Sequence, residues 1–184
     1  LVRIVDLATK FLICGTLRAE LPYQKVYDVR EKNRRLGLGI MGLHEWLIKR
    51  GEKYEVTTDL HRWLSVYKRV SDDVSKKFAD ELSISRPVAN RAIAPTGSIS
   101  IVAGTSSGIE PIFAVADLAE DYKRRIQFQA DVQDYVDMSI SSTINLPAWG
   151  TRLNNPDVVD DFAETLASYA NRLRGFTVYP DGRR

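Results

Sequence analysis

The stretch Arg91-Ala-Ile-Ala-Pro-Thr-Gly-Ser-Ile-Ser100 combines three local patterns within ten residues. A short apolar run at 92–94 predicts a strand, Pro95 ends it, and the small residues that follow predict a turn leading into a helix. A strand, a tight turn and a helix N-terminus in this order favour an anion site. Free backbone N–H groups converge there, and the helix dipole adds about half a positive charge. The stretch therefore predicts a phosphate-binding turn.

The candidate contacts in this turn are backbone N–H groups and hydroxyls. The residues expected to hold the phosphate are Pro95, Thr96, Gly97, Ser98 and Ile99, with Ser100 as a further possible substrate contact. Gly97 would let the backbone approach an anion without an intervening Cβ. Each hydrogen bond to a charged oxygen contributes about 1.5–3 kcal/mol. The competing interpretation is structural, because Pro-Thr-Gly-Ser is a common turn in which Ser98 simply caps a helix, and the local pattern leaves both open.

Apolar periodicity on either side of this turn predicts alternating helices and strands. Helices are predicted at 1–13, 25–33, 43–49, 57–82, 127–139 and from Asn155 to Gly175, with a loop at 15–23 and strands at 36–42, 109–115, 143–146 and 176–179. Such alternation is typical of parallel βαβ units in an open sheet or a barrel. No internal repeat or linker divides the sequence, so residues 1–184 are predicted to form one α/β unit.

Composition narrows the class of protein. The net charge of +2 over 184 residues is too small to favour nucleic acid or an anionic membrane as a main partner. No apolar run approaches the roughly 20 residues of a membrane span, and no signal-peptide pattern is present, so a cytoplasmic protein is the simplest interpretation. The single Cys14 excludes an internal disulfide and a cysteine-based zinc site. Because the chain starts at Leu1 inside a helical pattern, we expect a piece of a longer polypeptide.

Four other groups of residues are weaker candidates for chemistry. His44 and His61 lack the spacing of metal ligands, so we expect ordinary helix residues and no metal site. Glu110 is expected either to contact substrate hydroxyls or to hold a basic neighbour. The run Tyr122-Lys-Arg-Arg125 would bind phosphate or form salt bridges, and salt bridges are favoured. Cys14 is expected to be a buried, inert thiol.

Several motifs, taken together and in order, are more specific than any one of them. They are Asn33-Arg-Arg-Leu-Gly-Leu-Gly-Ile-Met-Gly42, Ala94-Pro-Thr-Gly-Ser-Ile-Ser100, Gly108-Ile-Glu-Pro-Ile-Phe113, Tyr122-x-Arg-Arg125, Thr143-Ile-Asn-Leu-Pro147 and Gly175-Phe-Thr-Val-Tyr-Pro-Asp-Gly-Arg183. This series resembles the C-terminal part of the catalytic barrel of ribonucleotide reductases, and is most similar to the adenosylcobalamin-dependent (class II) enzymes. The resemblance spans essentially the whole chain. It implies the C-terminal portion of a ten-stranded α/β barrel, an incomplete domain.

The resemblance also implies a function. Family members replace the ribose 2′-hydroxyl with hydrogen by radical chemistry, making deoxyribonucleotides for DNA synthesis, and the loop matching Pro95–Ile99 holds the substrate phosphates. By the same resemblance we expect a ribonucleoside-diphosphate reductase that uses adenosylcobalamin, bound largely outside this segment, and a thioredoxin-like reductant. A ribonucleotide substrate and the rest of the reductase, on the same polypeptide or a complementing chain, are the expected partners.

The chain departs from the family pattern in its cysteines. The family uses a radical cysteine and a redox pair, whereas this chain has only Cys14, outside any matched catalytic motif. No catalytic residue is therefore assigned here, and the isolated chain is expected to be inactive. Two alternatives stay open: a non-catalytic remnant or interaction module that keeps the barrel packing, and an unrelated phosphate-binding α/β enzyme.

Overall fold

The structure is a computed structural model that describes residues 1–112, 122–146, 150 and 155–180. Within these ranges the chain is mostly helical with a small parallel sheet. The helices are α1 (Val2–Arg18), α2 (Gln24–Asn33), α3 (Leu43–Lys49), α4 (Thr58–Glu81), α5 (Gly97–Ala103), α6 (Tyr122–Gln133) and α7 (Pro156–Tyr169), and the strands are β1 (Thr143–Leu146) and β2 (Thr177–Pro180). No helix of the described part is long and apolar enough to cross a membrane.

The chain divides into two compact units. The first contains residues 1–39, 58–92 and 135–138, and in it α1 packs against α4. The apolar face of α4 forms its core because residues three and four apart lie on one side of a helix. The buried members of this face include Leu60, Leu64, Tyr67, Val70 and Ala79.

A buried arginine connects three segments of the first unit. The Arg91 side chain is 1% exposed, and it forms ion pairs with Asp72 at 2.6 Å and Asp137 at 2.8 Å. Its Nε donates to the Tyr135 carbonyl at 2.8 Å. The guanidinium therefore joins α4 to the 135–138 segment and to the extended chain at 88–92, where Arg91 forms a parallel bridge with Leu38.

The second unit contains residues 40–57, 93–134 and 139–184, within the described ranges. Its sheet pairs β1 and β2 in parallel, with Thr143 opposite Thr177, and α7 lies between the two strands in sequence. This is the βαβ connection that parallel pairing requires, and α7 packs against α6. Its core is formed by Ile93, Ile109, Ile126, Phe128, Ile140 and Ile144.

Most predicted elements are present with shifted boundaries. The loop predicted at 15–23 is wrong at its start, because α1 continues through Gly15 to Arg18. The helix predicted at 127–139 begins earlier, at Tyr122, and ends earlier, at Gln133. The helix from Asn155 ends at Tyr169 instead of continuing to Gly175.

Three predicted strands, at 36–42, 92–94 and 109–115, are not regular strands, and Ile93 forms the one bridge of the second. In the 36–42 run only Leu38 forms a bridge, so the expected buried strand is an extended segment with one pairing. Of the predicted strand at 109–115, residues 109–112 form no strand and residues 113–115 lie outside the described part. The backbone of 105–112 instead bonds to backbone groups of Gly42, Leu43 and Ser100 and to the side chains of Thr96, His44 and Tyr54.

Candidate anion-binding site

The turn and the helix predicted around Pro95 are present, whereas residues 92–94 form an extended segment with one bridge and no regular strand. Ile93 forms a parallel bridge with Ile140, Pro95 is exposed, and α5 begins at Gly97. Thr96 connects them with φ 55°, in the left-handed region that few residues other than glycine adopt. The turn is therefore tight, and it presents the first residues of α5 to solvent.

The N-terminus of α5 is open. Thr96 makes no side-chain capping bond, because its Oγ1 accepts the Gly108 N–H at 2.8 Å instead. The Ser100 N–H bonds to the Thr96 carbonyl at 2.9 Å, as the first regular helical bond. Within the described part of the chain, the N–H groups of Gly97, Ser98 and Ile99 have no hydrogen-bond acceptor. These three exposed donors can meet an anion.

Gly97 has no structural need to be glycine. A Cβ added there would meet nothing within 4 Å, and its φ lies outside the positive range. Neither crowding nor backbone strain within the described chain therefore explains this residue. The absence of a side chain leaves room beside the free N–H groups for a molecule from outside.

The hydroxyls of the turn have different surroundings. Ser98 is exposed, whereas Ser100 is 2% exposed. Ser100 Oγ donates to the Gly97 carbonyl at 3.0 Å and shares a hydrogen bond with Ser107 Oγ at 2.8 Å. The Ser100 hydroxyl is therefore buried and bonded within the protein, whereas the residues that carry the free N–H groups are exposed.

Glu110 holds a basic neighbour, one of the two alternatives left by the sequence. Its carboxylate pairs with Arg125 at 2.9 Å and accepts the Thr143 N–H at 2.7 Å. Burial raises the pKa of Glu110, and the Thr143 N–H and the Arg125 guanidinium act in the opposite direction. Glu110 thus joins the 105–112 segment to α6 and β1.

Salt bridges also account for the Tyr122–Arg125 run, as favoured from the sequence. Lys123 pairs with Asp161 at 2.6 Å, which connects α6 to α7, and Tyr122 bonds to the same carboxylate. These bonds lower the pKa of Asp161, with the Lys123 hydrogen bond as the main cause.

The remaining candidates for chemistry were Cys14 and the two histidines. The expectation of a buried thiol is wrong, because Cys14 lies on the exposed side of α1. His44 and His61 are helix residues, in α3 and α4. No group of three metal-ligating side chains occurs among the described residues.

Sequence reasoning missed His44 and Tyr54, whose side chains bond to the segment that follows α5. His44 Nδ1 accepts the Ile112 N–H at 2.7 Å, and the Tyr54 hydroxyl donates to the Ile109 carbonyl. Their partners lie 68 and 55 positions away in sequence, so no local pattern could have revealed these bonds. The available signal was a histidine in the helix predicted at 43–49, and it was interpreted as an ordinary helix residue.

Comparison with known proteins identifies the class. The family model described as the ribonucleotide reductase barrel domain matches residues 1–63. In structure, the whole chain superposes on 34% of a B12-dependent (class II) ribonucleotide reductase, with a TM-score of 0.82 at 13% identity. The class Id ribonucleotide reductase alpha subunit of Actinobacillus ureae matches 96% of the chain over 44% of its own length, with a TM-score of 0.69 at 17% identity. The fold is that of part of a ribonucleotide reductase.

The sequence relatives narrow this class. A putative adenosylcobalamin-dependent ribonucleoside-triphosphate reductase of Mycobacterium phage D29 is 34% identical over 131 residues, 70% of this chain and 18% of the phage protein. A vitamin B12-dependent ribonucleoside-diphosphate reductase of Mycobacterium tuberculosis strain CDC 1551 / Oshkosh is 26% identical over 98% of the chain and 36% of its own length. The recognition made from the motifs is confirmed: residues 1–63 match the ribonucleotide reductase barrel domain, and the chain's homologues among these proteins are B12-dependent reductases. The chain spans between about a fifth and just over a third of the length of these relatives.

Proposed function

We propose that this chain supplies the substrate-phosphate loop of a B12-dependent ribonucleotide reductase, and that the turn at residues 95–99 forms the phosphate site. One observation carries the proposal: three consecutive N–H groups at the start of α5 are exposed and have no acceptor among the described residues. Each such donor contributes about 1.5–3 kcal/mol when it bonds to a charged oxygen. Two or three of them suffice for a useful phosphate site.

The surroundings of the turn support this role. Ser98 adds an exposed hydroxyl, and the open space at Gly97 lets a phosphate oxygen reach the backbone. The Thr96 hydroxyl and the Ser100 hydroxyl are bonded within the protein, so they fix the shape of the turn. We therefore assign direct contact to the backbone of 97–99 and to Ser98, and a supporting role to Thr96 and Ser100.

The rest of the reaction is assigned outside this segment. Radical 2′-deoxygenation of a ribonucleotide in this family needs one radical cysteine and a redox pair, and Cys14 is the single cysteine. We propose that these groups come from other parts of the reductase, on the same polypeptide or a complementing chain. A thioredoxin-like reductant follows from the same resemblance, and a cytoplasmic location is part of the proposal. In this proposal residues 1–184 form the C-terminal part of the ten-stranded barrel.

Adenosylcobalamin is the cofactor implied by the relatives, and it supplies the radical when bound. By the resemblance it binds largely outside this segment, and His44 Nδ1 already accepts the Ile112 N–H. We therefore assign no residue of this chain to the cofactor. This chain's part in the reaction is to bind and orient the substrate.

The test is a calorimetric titration of the chain with a ribonucleoside diphosphate and with the matching nucleoside. We expect binding of the diphosphate only, and a loss of at least about tenfold in affinity for Gly97→Val, equivalent to about 1.4 kcal/mol. Gly15→Val is the matched control, because Gly15 also has open space around its Cα and no positive φ. Equal affinity of the two variants, or equal binding of nucleoside and diphosphate, would refute the proposed role.

A further inference from the structure

The segment from Thr105 to Ile112 connects the proposed phosphate loop to a buried aromatic pair. On one side the Gly108 N–H donates to Thr96 Oγ1 at 2.8 Å, and Ser107 Oγ bonds to Ser100 Oγ at 2.8 Å. These two contacts lie at the first residue before α5 and in its first turn. The position of this segment therefore sets the position of the loop.

The side chains of His44 and Tyr54 bond to the same segment nearer its C-terminal end. His44 Nδ1 accepts the Ile112 N–H at 2.7 Å, and the Tyr54 hydroxyl donates to the Ile109 carbonyl. The two side chains thus bond to one N–H and one carbonyl that lie three residues apart. Together these two bonds fix the position of the backbone between Ile109 and Ile112.

The pair is buried and closely packed. Both residues are 3% exposed, and their rings meet edge to face with centroids 5.1 Å apart. Tyr54 also packs against Phe128, with centroids 4.0 Å apart. Side chains packed in this way lose little further freedom when they bond, so they hold a backbone segment better than exposed side chains do.

The chemical states of the two side chains suit these bonds. Because Nδ1 accepts a backbone N–H, the His44 proton lies on Nε2 in the neutral ring. Burial lowers the pKa of His44 and raises the pKa of Tyr54, so near neutral pH the imidazole keeps its acceptor and the phenol keeps its proton. Each group is therefore in the form its partner requires.

We propose that His44 and Tyr54 are positioning residues for the phosphate loop and act on it through the 105–112 segment. The inference rests on the proposed function for its consequence in binding. Its structural part can be measured without a ligand. Thr96 is the loop residue on which the 105–112 segment acts, because a non-glycine residue at φ 55° keeps that conformation only where its neighbours hold it.

The experiment compares three variants of the full 184-residue chain. His44→Leu removes the acceptor, His44→Asn keeps an acceptor oxygen near the position of Nδ1, and Tyr54→Phe removes only the hydroxyl. Tyr23→Phe is the matched control, because Tyr23 is 71% exposed. Amide hydrogen exchange is measured at residues 97–112, together with the affinity for inorganic pyrophosphate as the probe.

We expect His44→Leu and Tyr54→Phe to speed exchange at the Gly108 amide and to weaken pyrophosphate binding, each by about fivefold. His44→Asn is expected to stay within about twofold of the unmodified chain, because one acceptor replaces another. This rescue separates positioning from a general loss of packing. If His44→Leu does not fold, as judged by circular dichroism, Tyr54→Phe and His44→Asn still carry the comparison.

The outcomes separate this inference from the proposed function. Unchanged exchange at Gly108 in Tyr54→Phe and in a folded His44→Leu would overturn the positioning role, whether or not pyrophosphate binds. Faster exchange in a chain that binds no pyrophosphate would support positioning and count against the phosphate site. Pyrophosphate binding that no variant changes would overturn positioning and leave the phosphate site standing.

Discussion

The close approach of Gly42 to Thr105 predicts how much a side chain added at position 42 would destabilise the fold. Gly42 precedes α3 with φ 77°, and an added Cβ would lie closer than 3.0 Å to Thr105 Oγ1, a separation that real Cβ atoms essentially never show. Alanine at this position costs about 1–2 kcal/mol for the left-handed backbone. It costs about 1–3 kcal/mol more for the clash with Thr105.

Gly51 provides the matched control, because it has φ 68° with nothing within 4 Å of an added Cβ. Gly51→Ala therefore carries the backbone cost alone, and we expect Gly42→Ala to lose about 1–3 kcal/mol more than Gly51→Ala in urea unfolding. Thr105→Ala removes Oγ1 and leaves the Thr105 Cβ at 3.4 Å, an ordinary contact distance. In the double variant the extra loss should largely disappear, as a coupling energy of about 1–2 kcal/mol. Equal losses for the two glycine variants, or no recovery with Thr105→Ala, would refute this reasoning.

Two further predictions concern buried polar groups. Arg91→Met leaves the carboxylates of Asp72 and Asp137 without their cation, so we expect it to lower the free energy of unfolding in urea by about 3–5 kcal/mol. Arg86→Met is the control at an exposed ion pair and should change stability little. Similar losses for the two variants would show that burial does not govern the strength of these pairs. Because the pKa of His44 is lowered in the folded chain, the unfolded chain takes up that proton first. The free energy of unfolding should therefore decrease as the pH falls below about 6.5. His44→Asn should make this dependence on pH weaker. An unchanged dependence in that variant would assign it to other groups.

Local signals in the sequence predicted the elements whose cause is local. The long helix α4 was predicted from apolar residues three and four apart, and it buries that face. The start of α7 was predicted from Asn155 and Pro156, and Asn155 Oδ1 accepts the Val158 N–H at 3.2 Å, as an N-cap should. The turn before α5 was predicted from Pro95 and the small residues after it.

One error and one omission have a nonlocal cause. α1 continues through Gly15, because its packing against α4 offsets the cost of about 1 kcal/mol for a glycine in a helix. The bonds of His44 and Tyr54 to the 109–112 backbone join residues more than 50 positions apart, and no periodicity reports such contacts. The supporting part of the candidate site was therefore invisible to sequence reasoning, whereas the exposed turn was not.

The most direct test of the phosphate-loop assignment is the response of individual backbone amides to a ribonucleoside diphosphate. In a nuclear magnetic resonance titration of the isotope-labelled chain, we expect the largest shifts at the amides of Gly97, Ser98 and Ile99, the three donors without an acceptor in the described chain. The matching nucleoside should leave these amides unchanged. Shifts confined to other parts of the chain, or no difference between diphosphate and nucleoside, would contradict the assignment of this turn as the substrate-phosphate loop.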